Sequence, residues 1–195
     1  MKGAFNGVHS SVLEKRLIAR RVPSPAVKWI RNFCDGRQAQ VTVGSFESEV
    51  APIEYAGIPQ GSPLSPLLYV FYNADLVERK IDRAVGAIGF VNDFNAWVVG
   101  DNAIQNTKII QDTIIPHAEQ WATRSGATFE ADKTSLIHFT RRPTDEEPPN
   151  LRFGDADITP SLSVKVLEVT LDVKLAMDEH ISRVSTKGLR AYLAL

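Results

Sequence analysis

The sequence lacks the features that mark secreted, membrane-spanning and zinc-binding proteins. One cysteine, Cys34, occurs among 195 residues, so neither an internal disulfide nor a cysteine cluster for zinc can form. No segment approaches the ~18 consecutive apolar residues of a membrane-spanning helix. The N-terminal sequence MKGAFNGVHS also lacks the apolar stretch of about 7–15 residues found in signal peptides. These absences predict a soluble, intracellular chain with no membrane partner.

An excess of charge of either sign is missing as well. The chain has 22 Lys and Arg against 23 Asp and Glu, for a net charge of −1. This balance argues against a free-standing basic nucleic-acid-binding module, whose pI is typically above about 9. The basic clusters are small: Lys15-Arg16, Arg20-Arg21 and Arg141-Arg142. Hydrophobic residues make up 44%, which is sufficient for a packed core.

Helical and strand patterns alternate along the chain without a repeated βαβ unit, which predicts the α+β class. Residues 38–43 and 46–53 alternate in polarity on either side of Gly44-Ser45, as in a β-hairpin. Residues 134–140 also have a strand pattern.

Residues 101–125 have the apolar spacing of a helix. Asp101 or Asn102 can cap this helix, because their side chains accept hydrogen bonds from free backbone amides at a helix start. Pro116 interrupts the pattern, and its missing N–H predicts a kink or two shorter helices.

A second hairpin is predicted where Asn92-Asp93 separates the apolar runs 86–91 and 94–99, because a polar pair between two strands favours a tight turn. A polar pair at the tip of an apolar hairpin can hold Mg²⁺, which prefers oxygen ligands, usually one or two carboxylates with substrate phosphates. The same pair is also an ordinary turn sequence, and the tetrapeptide alone favours this simpler interpretation.

Motifs elsewhere in the chain favour the metal-binding interpretation of Asn92-Asp93 over the ordinary turn. Residues 57–66 read GIPQGSPLSP, residues 90–93 read FVND, and residues 166–172 read VLEVTLD. Residues 2–5 read KGAF, and Gly126 precedes Lys133-Thr134. In this order the motifs closely resemble those of reverse transcriptases from non-LTR (LINE-type) retrotransposons, particularly fungal ones. The resemblance covers essentially the whole chain.

The resemblance implies RNA-templated DNA synthesis at two divalent metal ions, Mg²⁺ or Mn²⁺, with an RNA template, a DNA primer and a dNTP as partners. It implies a palm over residues 1–175, an antiparallel sheet with helices packed on one face. Residues 176–195 would form a helix leading toward a missing thumb, and the fingers would be largely missing.

Two of the three metal-binding carboxylates that the family uses are not matched. The first Asp would stand immediately before Met1, and Asn92 stands where the second is expected. Only Asp93 matches, and a neutral amide oxygen is a weaker ligand for a hard cation than a carboxylate. Losing one electrostatic partner can cost about 10²–10³ in rate. With Asn6 in place of Asp and Glu168 in place of Gly, the motifs predict a truncated, degenerate and catalytically inactive copy with an incomplete metal site.

Other positions match family residues with assigned roles. Phe5 corresponds to the aromatic gate that favours dNTP over rNTP, although a core aromatic is equally consistent with its sequence context. Gln60, Gly61 and Ser62 correspond to residues that border the nucleotide and template. Lys133 corresponds to the lysine that protonates pyrophosphate, or is an ordinary surface lysine.

Two alternatives stay open at this point. The chain could be a polymerase subdomain completed by another chain, which would supply fingers, thumb and one Asp. It could also be a non-enzymatic nucleic-acid-binding remnant, although its near-neutral charge disfavours strong phosphate contacts.

Overall fold

The computed structural model describes residues 3–53, 57–78, 84–140 and 147–194. The helices described are α1 (Ser10–Ala19), α2 (Ser24–Cys34), α3 (Leu64–Val77), α4 (Ala103–Ile109), α5 (Ile115–Ser125) and α6 (Asp178–Leu193). The strands are β1 (Gln38–Ala39), β2 (Thr42–Val43), β3 (Phe46–Glu47), β4 (Ala51–Pro52), β5 (Val85–Phe90), β6 (Asp93–Val98), β7 (Leu151–Phe153), β8 (Ala156–Ile158), β9 (Ser163–Val166) and β10 (Val169–Asp172). This mixture of helices and small antiparallel strands agrees with the α+β class.

Within the described ranges the strands pair in twos: β1 with β4, β2 with β3, β5 with β6, β7 with β8 and β9 with β10. The hairpin predicted around Gly44-Ser45 is confirmed, because Val43 pairs with Phe46 and β1 pairs antiparallel with β4 beyond it. One continuous sheet with helices on one face stays a prediction.

The chain divides into two compact units. The first comprises Met1–Trp97 and Pro116–Phe129, and the second comprises Val98–Ile115 and Glu130–Leu195. The predicted boundary at residue 175 is not tested by this division and stays a prediction.

A buried guanidinium lies in the core of the first unit, where Trp121, Tyr69 and Tyr72 are almost fully buried. Arg16 is 8% exposed; its guanidinium donates to Asp75 at 3.0 Å, to Ser125 Oγ at 2.7 Å and to the Tyr72 carbonyl. It also lies over the Tyr72 ring, 4.7 Å from the centroid. Burial lowers the pKa of Arg16, and the neighbouring Asp75 carboxylate opposes this shift. Of the basic pair Lys15-Arg16, Arg16 is therefore part of the core.

The predicted helix over residues 101–125 is interrupted as expected. Asn102 caps its start, because Asn102 Oδ1 accepts a hydrogen bond from the Gln105 amide at 2.8 Å. A π-helical segment, Ile110–Ile114, stands immediately before α5, one turn ahead of Pro116. Proline cannot donate to the carbonyl four residues earlier and its ring crowds that carbonyl, so the backbone widens there.

The strand predicted over residues 134–140 is wrong. Only an isolated bridge from Leu136 to Pro160 is present in this segment. Thr134 follows a 3₁₀ turn, Ala131–Lys133, and its hydroxyl donates back to the Glu130 carbonyl at 3.1 Å. Such a local side-chain bond competes with strand pairing at the start of the segment, and further along only single backbone bonds, Ser161 N to the Leu136 carbonyl and Thr140 N to the Val173 carbonyl, join it to other segments.

Candidate nucleotide-binding and metal-binding residues

The loop that follows Gly57 lies directly against the segment carrying Phe5 and Asn6. The Ile58 amide donates to the Phe5 carbonyl at 2.9 Å. Gly57 has a φ of 57°, and a Cβ at this position would overlap the Phe5 carbonyl oxygen. Only glycine combines this conformation with so close an approach of two backbones.

This contact brings together the residues predicted to bind the nucleotide and template. Gln60 Nε2 donates to Asn6 Oδ1 at 3.4 Å; Gln60 and Gly61 are exposed and Ser62 is half-buried. Phe5 is half-buried too, with its ring centroid 5.5 Å from that of Tyr69. The geometry matches the core-aromatic alternative for Phe5, and its role as a gate stays a prediction.

A buried serine ties the same loop to α3. Ser65 is fully buried near the start of this helix, and its hydroxyl donates to the Pro59 carbonyl at 2.5 Å. The Ser62 hydroxyl accepts from the Leu64 amide at 3.3 Å. Because the loop leads directly into a helix packed in the core, its position is set by that helix.

The turn of the β5–β6 hairpin lies one residue earlier than predicted. The two turn residues are Val91 and Asn92, and Asp93 is the first residue of β6. Val91 has a φ of 50°, a conformation that β-branched residues avoid. The Val91 carbonyl accepts a hydrogen bond from Asn73 Nδ2 of α3 at 3.0 Å, so a tertiary contact opposes the local preference for an Asn-Asp turn.

Asn92 and Asp93 are both exposed and form the candidate metal-binding pair. In the described part of the chain, no three His, Cys, Asp or Glu side chains group closely enough to hold a metal ion. One carboxylate beside a neutral amide does not supply the hard anionic ligands that divalent cations require. The residues present therefore do not fit a catalytic metal pair.

Lys133 belongs to the second unit and is a surface lysine. Its side chain is 75% exposed, and its Nζ lies 2.7 Å from a carboxylate oxygen of Glu130. This geometry matches the simpler of the two interpretations, and a role with pyrophosphate stays a prediction.

The β9–β10 hairpin, which carries the last family motif, turns at Leu167-Glu168, with φ values of 47° and 69°. Glu168 thus occupies a backbone conformation that favours glycine. Lys165 Nζ lies 2.6 Å from Glu168 Oε1, and the hydrogen bond between them lowers the pKa of the Glu168 carboxyl. Arg183 donates to the Glu168 carbonyl at 2.5 Å.

Sequence reasoning missed Asn73, although a signal for it existed. Asn73 is an amide residue within 67–74, a stretch that is otherwise aliphatic and aromatic. A buried polar side chain normally has a hydrogen-bond partner, so its position on the buried face of α3 pointed to a specific contact.

Comparison with known proteins decides the family. Residues 1–171 match the family described as "Reverse transcriptase (RNA-dependent DNA polymerase)". The chain belongs to the reverse transcriptase family. Together with the relatives below, the match identifies a reverse transcriptase domain of the non-LTR retrotransposon type.

Relatives in Drosophila are polymerases of mobile elements. The chain is 26% identical over 93% of its length to the "RNA-directed DNA polymerase from mobile element jockey" of Drosophila melanogaster, and 27% identical over 92% to its Drosophila funebris counterpart. It is 27% identical over its whole length to the "Probable RNA-directed DNA polymerase from transposon X-element" of Drosophila melanogaster. The chain spans about a fifth of the length of these relatives, 20% to 21%. No helix among the described residues is long and apolar enough to cross a membrane.

Proposed function

We propose that this chain is the palm-type part of a reverse transcriptase, keeping the loops that face RNA template, DNA primer and dNTP but lacking nucleotidyl transfer activity. Family membership supports the first half of the proposal. The contact between the Gln60 loop and the Phe5-Asn6 segment supports it further, because it brings together positions whose family counterparts border the nucleotide.

Asn92 is the single observation that carries the second half. In this family, carboxylates at positions such as 92 and 93 would hold divalent cations, and these would supply the positive charge that nucleotidyl transfer needs. Asn92 and Asp93 provide one negative charge on an exposed turn, and no step through a metal follows from that donor set. The exposed pair keeps its place on the hairpin without the charge that the chemistry needs.

The proposal extends to organisation and source. Residues 1–175 would be the palm-type part, and α6, Asp178–Leu193, would lead out of it. An origin in a fungal element is proposed from the resemblance of the motifs alone; the relatives compared above are from Drosophila.

Primer extension tests the proposal. The purified chain is given an RNA template, a DNA primer and dNTPs in Mg²⁺ and, separately, in Mn²⁺, beside the Asp93→Ala variant. We expect no extension above that variant, which removes the remaining carboxylate. Extension well above it would overturn the inactive assignment.

A binding assay separates the non-enzymatic alternative. The affinity for a fluorescent RNA–DNA hybrid is measured across salt concentrations. With a net charge of −1 we expect weak binding. Tight binding that falls steeply with salt, as phosphate contacts require, would favour the nucleic-acid-binding remnant instead.

A further inference from the structure

We propose that Asn73 is a positioning residue, fixing the turn that carries Asn92 and Asp93 through a hydrogen bond from its buried amide to the Val91 carbonyl. The inference rests on the proposed function in one respect: it takes this turn to be the metal-facing part of the domain.

The donor of this hydrogen bond is shielded from solvent. Asn73 is 4% exposed, and its Nδ2 lies 3.0 Å from the Val91 oxygen. An amide buried to this degree depends on its protein partner, because water cannot replace the lost bond. The contact joins α3 to a residue 18 positions later in the chain.

Gly89 makes the approach of strand to helix possible. A Cβ at residue 89 would lie 3.2 Å from Asn73 Nδ2 and 3.0 Å from Val77 Cγ2. Both distances are shorter than ordinary van der Waals contacts. The absence of a side chain at Gly89 thus leaves the room that the Asn73 amide occupies.

The conformation of Val91 explains what the bond does. Valine at a φ of 50° does not hold this shape by its own preference. The Val91 carbonyl and the Asn92 amide belong to one planar peptide unit, so fixing the carbonyl fixes the backbone that presents Asn92 and Asp93.

The same helix holds the nucleotide-facing loop. Ser65 donates to the Pro59 carbonyl, and Asn73 donates to the Val91 carbonyl. Ser65 and Asn73 are eight residues apart, which at 1.5 Å per residue corresponds to about 12 Å of helix. Two buried side chains of α3 therefore set the separation between the loop and the turn.

Nuclear magnetic resonance of the ¹⁵N-labelled chain tests the inference on the turn itself. The Val91 HN–Hα coupling reports its φ, and the Asn92 amide shift reports the peptide plane. The test variant is Asn73→Ala, and the matched control is Tyr72→Phe. Tyr72 neighbours Asn73 on α3, is also buried, and donates from its hydroxyl to the Ser125 carbonyl, away from the turn.

We expect Asn73→Ala to change both signals and Tyr72→Phe to leave both unchanged. Signals that stay unchanged in Asn73→Ala, or that move equally in the two variants, would overturn the inference. If Asn73→Ala does not fold, Gly89→Ala serves in its place, because the added methyl group crowds the same amide; unchanged turn signals there would overturn it too.

A metal readout then separates positioning from folding. In the Asn92→Asp background, which restores a second carboxylate, adding Asn73→Ala should weaken Mn²⁺ affinity about tenfold, as loss of a supporting contact does at metal sites, and adding Tyr72→Phe should not. Equal Mn²⁺ affinity in these two double variants would refute the positioning role. If Asn92→Asp binds no Mn²⁺, the metal account of the proposed function fails, and the coupling and shift alone decide the role of Asn73.

Discussion

The tight hairpin turns in the described part of the chain are of two kinds. The turns Gly44-Ser45 and Gly154-Asp155 begin with glycine, at φ values of 62° and 58°. The turns Val91-Asn92 and Leu167-Glu168 reach positive φ without glycine, although a Cβ in the left-handed region costs about 1–2 kcal/mol per residue. The glycine-free turns are the two that carry family motifs, so among these four hairpin turns the strained side-chain-bearing residues lie in the motifs.

The two glycine-free turns also differ from each other in their support. In the Val91-Asn92 turn, the Val91 carbonyl accepts a hydrogen bond from the buried amide of Asn73. The Glu168 turn is held by exposed groups, the ion pair with Lys165 and the bond from Arg183. Strain that a buried contact supports preserves the geometry of a site, whereas strain on the surface can be relieved by a single substitution.

Among the variants that test this difference between turns, Gly154→Val should change the stability of the chain most. It places a β-branched residue at a φ of 58° with open space around the new Cβ, so the penalty comes from the backbone alone. We expect a loss of about 2 kcal/mol in the free energy of unfolding in urea.

Gly188→Ala is the matched control for that variant. Gly188 lies within α6 with open space around it. Alanine there should raise the free energy of unfolding by about 0.8 kcal/mol. Stability of Gly154→Val equal to that of the parent chain would break the distinction between the two kinds of turn.

Glu168→Gly should raise the melting temperature by about 3 °C. Glycine adopts the φ of 69° without strain, and the exposed Lys165 pair that it removes contributes little. Circular dichroism measures the shift. Glu168→Gln is the control, since it removes the charge and keeps the Cβ; an equal rise in both variants would assign the gain to charge instead of backbone.

Asp172 gives the smallest expected effect. Backbone amides of Ala176, Met177 and Lys174 donate to its carboxylate and hold its pKa below the ordinary 3.8. A depressed pKa stabilises the folded chain above about pH 4, and this contribution is lost as the pH falls through the folded-state value.

The variant Asp172→Asn tests this pH dependence. Between about pH 5 and pH 3, we expect the melting temperature of the parent chain to fall more steeply than that of Asp172→Asn. Parallel curves would show that the loop after β10 is not stabilised by this charge.

The sequence predicts correctly those features that depend on one residue and its immediate neighbours. Gly44 predicts the turn in which it lies, Asn102 predicts the N-cap of α4, and Pro116 predicts the interruption of the helix before α5. The position of the Val91 turn could not be predicted in this way, because it depends on a bond from Asn73 in a separate helix.

Burial was equally hard to anticipate for charged residues. Arg16 follows another basic residue in the sequence, and only its contacts with Asp75 of α3 and Ser125 of α5 explain why its guanidinium lies over the Tyr72 and Trp121 rings. The motifs predicted which residues belong to the candidate site. They did not predict how those residues are arranged in space. Which side chains would meet was determined by tertiary packing.

Isothermal titration of Mn²⁺ into the parent chain and into Asn92→Asp tests most directly whether Asn92 is the defect in the candidate site. A second carboxylate beside Asp93 should tighten binding at least about tenfold, which corresponds to 1.4 kcal/mol. Equal affinity in the two proteins would contradict the account, since the amide at residue 92 would then not be what weakens this turn as a metal ligand.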